Sequence, residues 1–193
     1  MAVTPTQAQV NDSIRSTGAR MKVSALVLTI ATTVAGSEGI SLDVINDGLG
    51  IPTTCFGQTG ANIAFGQPLR PLSECSAGLL TRIQANQDLL ARKLPAIPTP
   101  KGDISYLQLT DGEQIAYNNM LDNLGPGAKG IKDGLFALKV GGGESTLITL
   151  LRAGKRRDAC NQIMQWLNPK WLPGIKARRI QETAICLRDL GPA

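Results

Sequence analysis

The sequence predicts an α+β fold: a small lobe with a β-hairpin, a long connecting helix and a larger helical lobe, with a cleft where the two lobes join that could hold a polymer. In residues 38–70, glycines separate short runs of strand-forming residues, which predicts tight turns and short strands. Residues 71–94 place apolar side chains near one face of a helix and predict the connecting helix. Residues 95–193 open with closely spaced prolines and continue with several helical stretches.

One helix of the larger lobe has a well-defined start. Thr110 and Glu113 have the spacing of a capping box, in which each side chain bonds to the backbone N–H group of the other residue. The helix is predicted to run to about Leu124, because a glycine-proline-glycine run follows it.

The composition restricts the chemistry. Of the 193 residues, 42% are hydrophobic and 18% are charged, which is enough for a buried core and excludes a disordered chain. The sequence contains no histidine, which excludes Ser–His–Asp and Cys–His nucleophilic sites and any zinc site with a histidine ligand. Acid–base chemistry must rest on carboxylates, Lys, Tyr, Cys or water. We expect no metal and no cofactor.

Positive charge is concentrated at the C-terminal end. The net charge is +5, but residues 151–193 hold nine Lys or Arg against three Asp or Glu, so the rest of the chain is slightly negative. Such a segment suits nucleic acid, anionic lipid or an acidic cell-wall polymer, and it is equally typical of a solvated face. Trp166 and Trp171 are the aromatic residues of this segment, too few for a surface that stacks on bases, so we expect no nucleic-acid partner.

The cysteines favour two disulfides. They are Cys55, Cys75, Cys160 and Cys186. Four cysteines allow three pairings, and proximity along the chain suggests Cys55–Cys75 and Cys160–Cys186. The alternative is four buried free thiols in a cytosolic protein. Disulfides would imply an oxidising compartment.

The N-terminal part of the chain divides into a polar arm and an uncharged segment. Residues 1–22 predict a loose or helical arm, and residues 23–193 are expected to form one domain. Residues 23–37 carry no charge and follow basic residues. A helix of that length would be roughly 22 Å long, shorter than the ~30 Å core of a bilayer. The segment is therefore either a buried leading helix or a weak export anchor.

Two carboxylates of the small lobe have contrasting sequence surroundings. Glu38 follows the apolar segment, where loss of hydration would favour the protonated form that a general acid needs. Asp47 lies in a glycine-rich polar turn, where water and backbone N–H groups favour the ionised form. Glycoside hydrolysis uses such a pair, one to protonate the leaving oxygen and one to stabilise positive charge or activate water. Thr53 has a hydroxyl that can hold this water. Taken by themselves, Glu38 and Asp47 can also be interpreted as ordinary surface charges without a catalytic role.

The spacing of these residues resembles the catalytic signature of the phage-type lysozymes, which are endolysins of glycoside hydrolase family 24. The positions that match that signature without a gap are Glu38, Gly39, Asp47, Gly50, Thr53 and Gly57. Weaker matches in the right order extend the similarity over about residues 37–190. The four cysteines resemble a branch of these endolysins, some of which are exported through an uncleaved signal-anchor-release helix.

The resemblance implies a lysozyme-like fold and a muramidase that hydrolyses the β-1,4 bond between N-acetylmuramic acid and N-acetylglucosamine in bacterial peptidoglycan, causing host cell lysis. It implies Glu38 as the general acid. It implies Asp47 as the residue that positions or activates water or stabilises the oxocarbenium-like charge, and Thr53 as a residue that helps to hold this water. An inverting reaction would place the two carboxyl groups roughly 6.5–9.5 Å apart. It also implies a monomer that is made in the bacterial cytoplasm and acts in the periplasm and cell wall, with transient inner-membrane association through residues 23–37.

The resemblance also suggests substrate contacts. The residues concerned are Gln58, Asn123, Lys176, Arg178 and Arg179. The three basic residues would contact Glu38 or the acidic peptide of the wall, and the alternative for them is a solvated surface.

Several positions depart from the family pattern. Gln58 stands where the family often has His, and its amide can donate a hydrogen bond but does not titrate. Ile45 stands where a Tyr is common, and Cys55 replaces a Gly. Residues 128–143 look like an insertion. These differences bear on substrate contacts and pH dependence more than on reaction type.

Two other functions remain open. A lytic transglycosylase needs one catalytic Glu and leaves anhydro-sugar ends, and the matches at Asp47 and Thr53 argue against it. A non-catalytic cationic protein would bind the cell wall, or disrupt anionic membranes through its basic C-terminal region.

Overall fold

The computed structural model describes residues 4–47, 50–167 and 174–191. These residues are mostly helical and include a two-stranded antiparallel sheet, which confirms the predicted α+β class. The chain divides into two compact units, unit 1 at residues 1–84 and unit 2 at residues 85–193. The division falls within the helix Leu72–Lys93, which lies close to the connecting helix predicted at 71–94.

Unit 1 combines helices with a hairpin. Its elements in chain order are α1 (Gln7–Met21), α2 (Ala25–Glu38), β1 (Ser41–Asn46), β2 (Pro52–Cys55) and the first part of α3 (Leu72–Lys93). The two strands pair antiparallel, with Ile45 opposite Thr53. A disulfide between Cys55 and Cys75 joins the end of β2 to α3.

The N-terminal arm is helical and packs into unit 1. Thr6 and Gln9 form a capping box, in which the Thr6 N–H donates to the Gln9 side chain at 2.8 Å and the Gln9 N–H donates to the Thr6 hydroxyl at 3.3 Å. Ile14 is fully buried. The hydroxyl oxygens of Ser13 and Ser76 lie 2.8 Å apart and bond α1 to α3. One face of the arm is therefore packed into unit 1, whereas the other residues of α1 are exposed or half-buried.

α2 covers most of the uncharged segment. Ser24 caps it by accepting the N–H of Val27 at 3.2 Å. Ile30 and Ala31 are fully buried in unit 1. Within the residues that the structure describes, none of the helices has both the length and the apolar character required for a membrane span. A role of residues 23–37 as an export anchor stays a prediction.

Unit 2 is helical. Its elements are the end of α3, α4 (Asp111–Leu124), α5 (Thr146–Arg152), α6 (Arg156–Gln162) and α7 (Ile175–Arg188), with short 3-10 turns at Tyr106–Gln108, Val140–Gly142 and Ile163–Gln165. The predicted capping box starts α4 and Leu124 ends it. A disulfide between Cys160 and Cys186 joins α6 to α7. Both disulfides are the pairs that proximity in the sequence suggests.

A buried ion pair holds the start of α4. Glu113 has no exposed surface and accepts the N–H of Thr110 at 3.0 Å. Arg156 donates to both carboxylate oxygens of Glu113, with its Nε 2.8 Å from Oε1. Burial, and then the negative charge of Glu113, raises the pKa of Tyr117 well above its ordinary value. The Tyr117 side chain is therefore a neutral part of the core.

α4 and α7 approach each other closely at Gly112. A Cβ atom placed on Gly112 would lie 2.2 Å from the carbonyl oxygen of Ile185. The carboxylate of Asp189 accepts the N–H of Gly112 at 3.1 Å. The backbone of α7 thus occupies the space that any side chain at position 112 would need.

Gly112→Ala tests this close approach. Because the added methyl group would force the two helices apart, we expect the free energy of unfolding to fall by about 1–3 kcal/mol in urea titrations followed by circular dichroism. The matched control is Gly36→Ala in α2, where nothing lies within 4 Å of the added Cβ. This control should stabilise the protein by roughly 0.5–1 kcal/mol, because alanine favours helix. Equal stability of Gly112→Ala and the wild type would contradict the packing described here.

Candidate active site

Glu38 is the last residue of α2, and two glycines shape the backbone near it. Gly39 ends the helix with φ at 69°. A Cβ atom placed on Gly57 would lie 3.6 Å from Oε2 of Glu38, so the turn after β2 faces this carboxylate. Gly57 has φ at 72°, a left-handed conformation that favours glycine. Both glycines belong to the predicted motif, and both occupy backbone conformations that explain their presence.

Asp47 follows β1 and is bonded to the far side of the hairpin loop. Its Oδ1 accepts the N–H of Ile51 at 3.0 Å, and its own N–H donates to the carbonyl oxygen of Ile51 at 3.3 Å. The neighbouring Asn46 accepts the N–H of Gly50 at 2.8 Å through Oδ1. These bonds fix the Asp47 carboxylate relative to the hairpin.

Thr53 lies on β2, directly opposite Ile45 on β1. Cross-strand partners point to the same face of a sheet, so both side chains belong to one surface. The Thr53 hydroxyl donates to the carbonyl oxygen of Ile51 at 3.1 Å. With its proton used in this bond, the hydroxyl oxygen has lone pairs that can accept another hydrogen bond.

Glu38, Asp47 and Thr53 line one cavity of about 550 Å³ in unit 1. The other residues that line it are Gly39, Ile40, Ser41, Ile45, Thr54, Cys55, Gly57 and Thr59. This volume is in the range of small-ligand pockets, and the lining offers carboxylates and hydroxyls beside an apolar wall at Ile45. In the described part of the chain, no group of three or more His, Cys, Asp or Glu side chains is arranged to hold a metal ion.

The exposure of Glu38 differs from the sequence-based expectation. Glu38 and Asp47 are both exposed, whereas Thr53 is half-buried. The prediction that Glu38 loses hydration at the end of the apolar helix is wrong. The buried face of α2 ends at Val34 and Ala35, and the residues after Ala35 lie outside the core.

One face of α3 holds the turn that lies beside Glu38. Cys75 is bonded to Cys55, at the start of that turn. Seven positions later along α3, Nη2 of Arg82 donates to the carbonyl oxygen of Phe56 at 2.9 Å. Residues seven positions apart lie near the same helix face, so the two contacts hold the turn from one side of α3.

The Gln58 side chain lies beside Gly78 of α3. A Cβ atom placed on Gly78 would lie 3.6 Å from Oε1 of Gln58. The backbone of Gln58 pairs with Thr54 through two hydrogen bonds of 2.8 and 3.0 Å. The side chain is therefore directed towards α3, and Gln58 is absent from the described lining of the cavity. The role of Gln58 as a substrate contact stays a prediction.

Arg179 is buried in unit 2. Its side chain is 1% exposed and is paired with the carboxylate of Glu182. Its Nε donates to the carbonyl oxygen of Trp166 at 3.0 Å, and its Nη2 donates to Oδ1 of Asn123. The prediction of Arg179 as a substrate contact is corrected, because the guanidinium is enclosed by these partners.

The same contact orients Asn123, which is exposed at the end of α4. A guanidinium only donates hydrogen bonds, so the side-chain oxygen of Asn123 must face Arg179. The amide NH₂ group then points away from Arg179. Asn123 thus offers hydrogen-bond donors rather than acceptors.

The other two basic residues lie near the start of α7. Lys176 is exposed and Arg178 is half-buried. Their role as substrate contacts stays a prediction. Trp171 lies outside the described residues.

Sequence reasoning did not identify Arg82 as a residue that supports the site. Its bond to Phe56 joins positions 26 residues apart, and no local motif signals it. Arg82 lies seven residues after Cys75 on the predicted helix, so the two residues lie near the same helix face. Because a disulfide was expected at Cys75, this spacing could have identified Arg82 as a residue near the hairpin.

Comparisons with known proteins agree with these features. The profile of a family described as phage lysozyme matches residues 35–182. The SAR-endolysin of Enterobacteria phage P21 is 28% identical over 172 residues, covering 88% of this chain and 89% of the relative. The SAR-endolysin of Enterobacteria phage PA-2 is 27% identical over 175 residues, with coverage of 88% and 89%. The crystal structure of the active form of the P1 phage endolysin Lyz has a TM-score of 0.69 at 16% identity and covers 98% of both chains. Because the family profile spans well over half of the sequence, the chain belongs to the phage lysozyme family.

Proposed function

We propose that this chain is a muramidase, which hydrolyses the β-1,4 bond between N-acetylmuramic acid and N-acetylglucosamine in bacterial peptidoglycan. The observation that carries the proposal is that Glu38, Asp47 and Thr53 line the same cavity. Membership of the phage lysozyme family supports the substrate class. The cavity supplies the two carboxyl groups that most glycoside hydrolases require.

Glu38 is the general acid in this mechanism. It protonates the bridging oxygen as the bond to the anomeric carbon breaks, and the leaving sugar departs with a hydroxyl group. Glu38 is exposed, so the bound polysaccharide itself must exclude water from the carboxyl group. Gly57 leaves space beside Oε2, where the glycosidic oxygen can approach.

Thr53 and Asp47 hold the attacking water. The Thr53 hydroxyl donates to the carbonyl oxygen of Ile51, so its lone pairs accept a hydrogen bond from the water. This bond turns the oxygen of the water towards the anomeric carbon. Asp47, fixed by its bond to the N–H of Ile51, accepts the proton that the water loses.

The proposed place of action is the periplasm and cell wall, after synthesis in the bacterial cytoplasm. Two disulfides suit an oxidising compartment. Residues 23–37 would supply transient association with the inner membrane. The protein would act as a monomer and lyse the host cell.

Glu38→Gln tests the acid. The substitution keeps the size of the side chain and removes the transferable proton. We expect clearing of chloroform-treated bacterial cells, measured as turbidity, to slow by about 10²- to 10⁴-fold, as is usual for loss of a general acid. The unfolding transition should stay close to that of the wild type, because Glu38 is exposed.

The matched control is Glu74→Gln. Glu74 is an exposed carboxylate near the start of α3 that pairs with Arg70 and lies outside the described lining of the cavity. It should clear cells at the wild-type rate. Full activity of Glu38→Gln would refute the assignment. Clearing that survives removal of both Glu38 and Asp47 would favour a non-catalytic cationic protein.

The products distinguish hydrolysis from transglycosylation. Attack by a water that Thr53 and Asp47 hold produces reducing ends, whereas internal attack by the muramic acid produces anhydro-sugar ends. We expect mass spectrometry of the released muropeptides to show reducing ends as the main species. A majority of anhydro products would mean that the chain is a lytic transglycosylase.

Asn123→Asp tests the donors that Asn123 presents. The aspartate still accepts a hydrogen bond from Arg179, but it lacks the outward NH₂ group. We expect the KM for solubilised peptidoglycan to rise by about 2- to 10-fold with kcat nearly unchanged, because a ground-state hydrogen bond is lost. Asn161→Asp, at an exposed position on α6, is the control and should behave as the wild type. An unchanged KM in Asn123→Asp would remove Asn123 from the substrate contacts.

A further inference from the structure

Two short turns of unit 2 stand next to each other. The first is closed by hydrogen bonds between Ala128 and Lys132, with N to O distances of 2.8 and 2.9 Å. The second is closed by the N–H of Leu138, which donates to the carbonyl oxygen of Gly143 at 2.9 Å. The N–H of Gly130 donates to the carbonyl oxygen of Leu138 at 3.2 Å and joins the first turn to the second. We call residues 128–132 and 138–143 the paired turns.

The segment between the paired turns is anchored in the core. Leu135 is fully buried and Phe136 is 9% exposed. The N–H of Leu135 donates to the carbonyl oxygen of Gly125 at 2.9 Å, and the N–H of Phe136 donates to that of Pro126 at 3.1 Å. The core therefore holds the segment that joins the two turns, with one turn at each end of it. The shape of the turns does not depend on a bound partner.

Each turn presents an aliphatic side chain to solvent. Ile131 is 74% exposed and Val140 is 86% exposed, the two largest values among the large hydrophobic residues that the structure describes. A single exposed aliphatic residue needs no explanation. Here, however, two of them stand on turns that are bonded to each other, within the segment that looks like an insertion.

Three lysines lie close in sequence to these two side chains. Lys129 and Lys132 flank Ile131, and Lys139 precedes Val140, and all three are exposed. The acidic residue of the segment is Asp133, whose carboxylate accepts the N–H of Lys139 at 2.7 Å. Aliphatic tips among lysines match a lipid surface, where the tips enter the headgroup region and the ammonium groups remain at the phosphates.

We propose that the paired turns are a docking surface for an anionic phospholipid membrane. Ile131 and Val140 enter the headgroup region, and the three lysines contact lipid phosphates. The surface lies in unit 2 and shares no residue with the cavity of Glu38 or with residues 23–37. It would retain the enzyme at a membrane independently of any N-terminal anchor.

The charge pattern favours a membrane over the other occupants. An acidic wall polymer would engage the lysines but would leave the two aliphatic tips without a partner. A second copy of this chain in a two-fold contact would bring the same lysines against each other, because such an interface pairs a patch with itself. An anionic lipid surface satisfies both the charges and the apolar tips.

Flotation of the full chain with lipid vesicles tests the proposal. We expect the wild type to bind vesicles that contain phosphatidylglycerol and to bind vesicles of phosphatidylcholine alone much more weakly. The double substitution Ile131→Ser with Val140→Ser should reduce the partition coefficient about tenfold or more. The triple substitution Lys129→Gln, Lys132→Gln and Lys139→Gln should reduce it to a similar extent. Because residues 23–37 are the same in all variants, differences between them report on the paired turns.

The matched controls are Leu107→Ser and Lys101→Gln, which remove an exposed aliphatic side chain and an exposed lysine elsewhere in unit 2. Both should bind vesicles as the wild type does. All variants should clear chloroform-treated cells normally. Equal binding by the aliphatic double variant and the wild type would overturn the proposal, and loss of binding in the lysine variant alone would point to an acidic polymer. A dimer in sedimentation velocity that the aliphatic variant dissociates would overturn it in favour of self-association.

Discussion

The contact between α3 and the turn after β2 is the constraint on which the candidate active site depends. A two-stranded sheet as short as this one is not stable by itself in water, so its position is set by what it touches. α3 supplies the support through Cys75 and Arg82 on one face of the helix. The turn that they hold contains Gly57, which faces the carboxylate of Glu38. The surroundings of the proposed acid are thus built by a helix that is distant from it in sequence.

Cys55 shows how this constraint and the family pattern are connected. Its φ is 55°, a left-handed conformation that costs a residue other than glycine about 1–2 kcal/mol. The family pattern has glycine at this position, which adopts the conformation without that cost. Here the covalent bond to Cys75 holds the residue in place. At this position the chain therefore has a crosslink between the hairpin and α3 instead of a glycine that adopts the conformation freely.

The basic residues of unit 2 have different roles, and a count of basic residues in the sequence does not distinguish these roles. Arg156 and Arg179 are paired with Glu113 and Glu182 and help to build the core. Arg179 also orients an amide at the surface, so a buried cation determines which hydrogen-bonding group of Asn123 faces away from the core. The exposed lysines beside aliphatic tips lie outside the C-terminal segment where the positive charge is concentrated. The net charge of a segment therefore does not show which of its basic residues are exposed.

The sequence by itself determined the features that depend on local order. Two features were determined in this way: the spacing of Glu38, Asp47 and Thr53, and the capping box that starts α4. Both depend on residues close together in the chain, because turns and helix ends are specified locally. Tertiary structure alone decided that Glu38 is exposed, that Gln58 is directed to α3 and that Arg179 is buried. Each of these depends on which distant element covers a side chain. Spacing along the chain fixes neighbours within an element, but burial is a property of the packed whole.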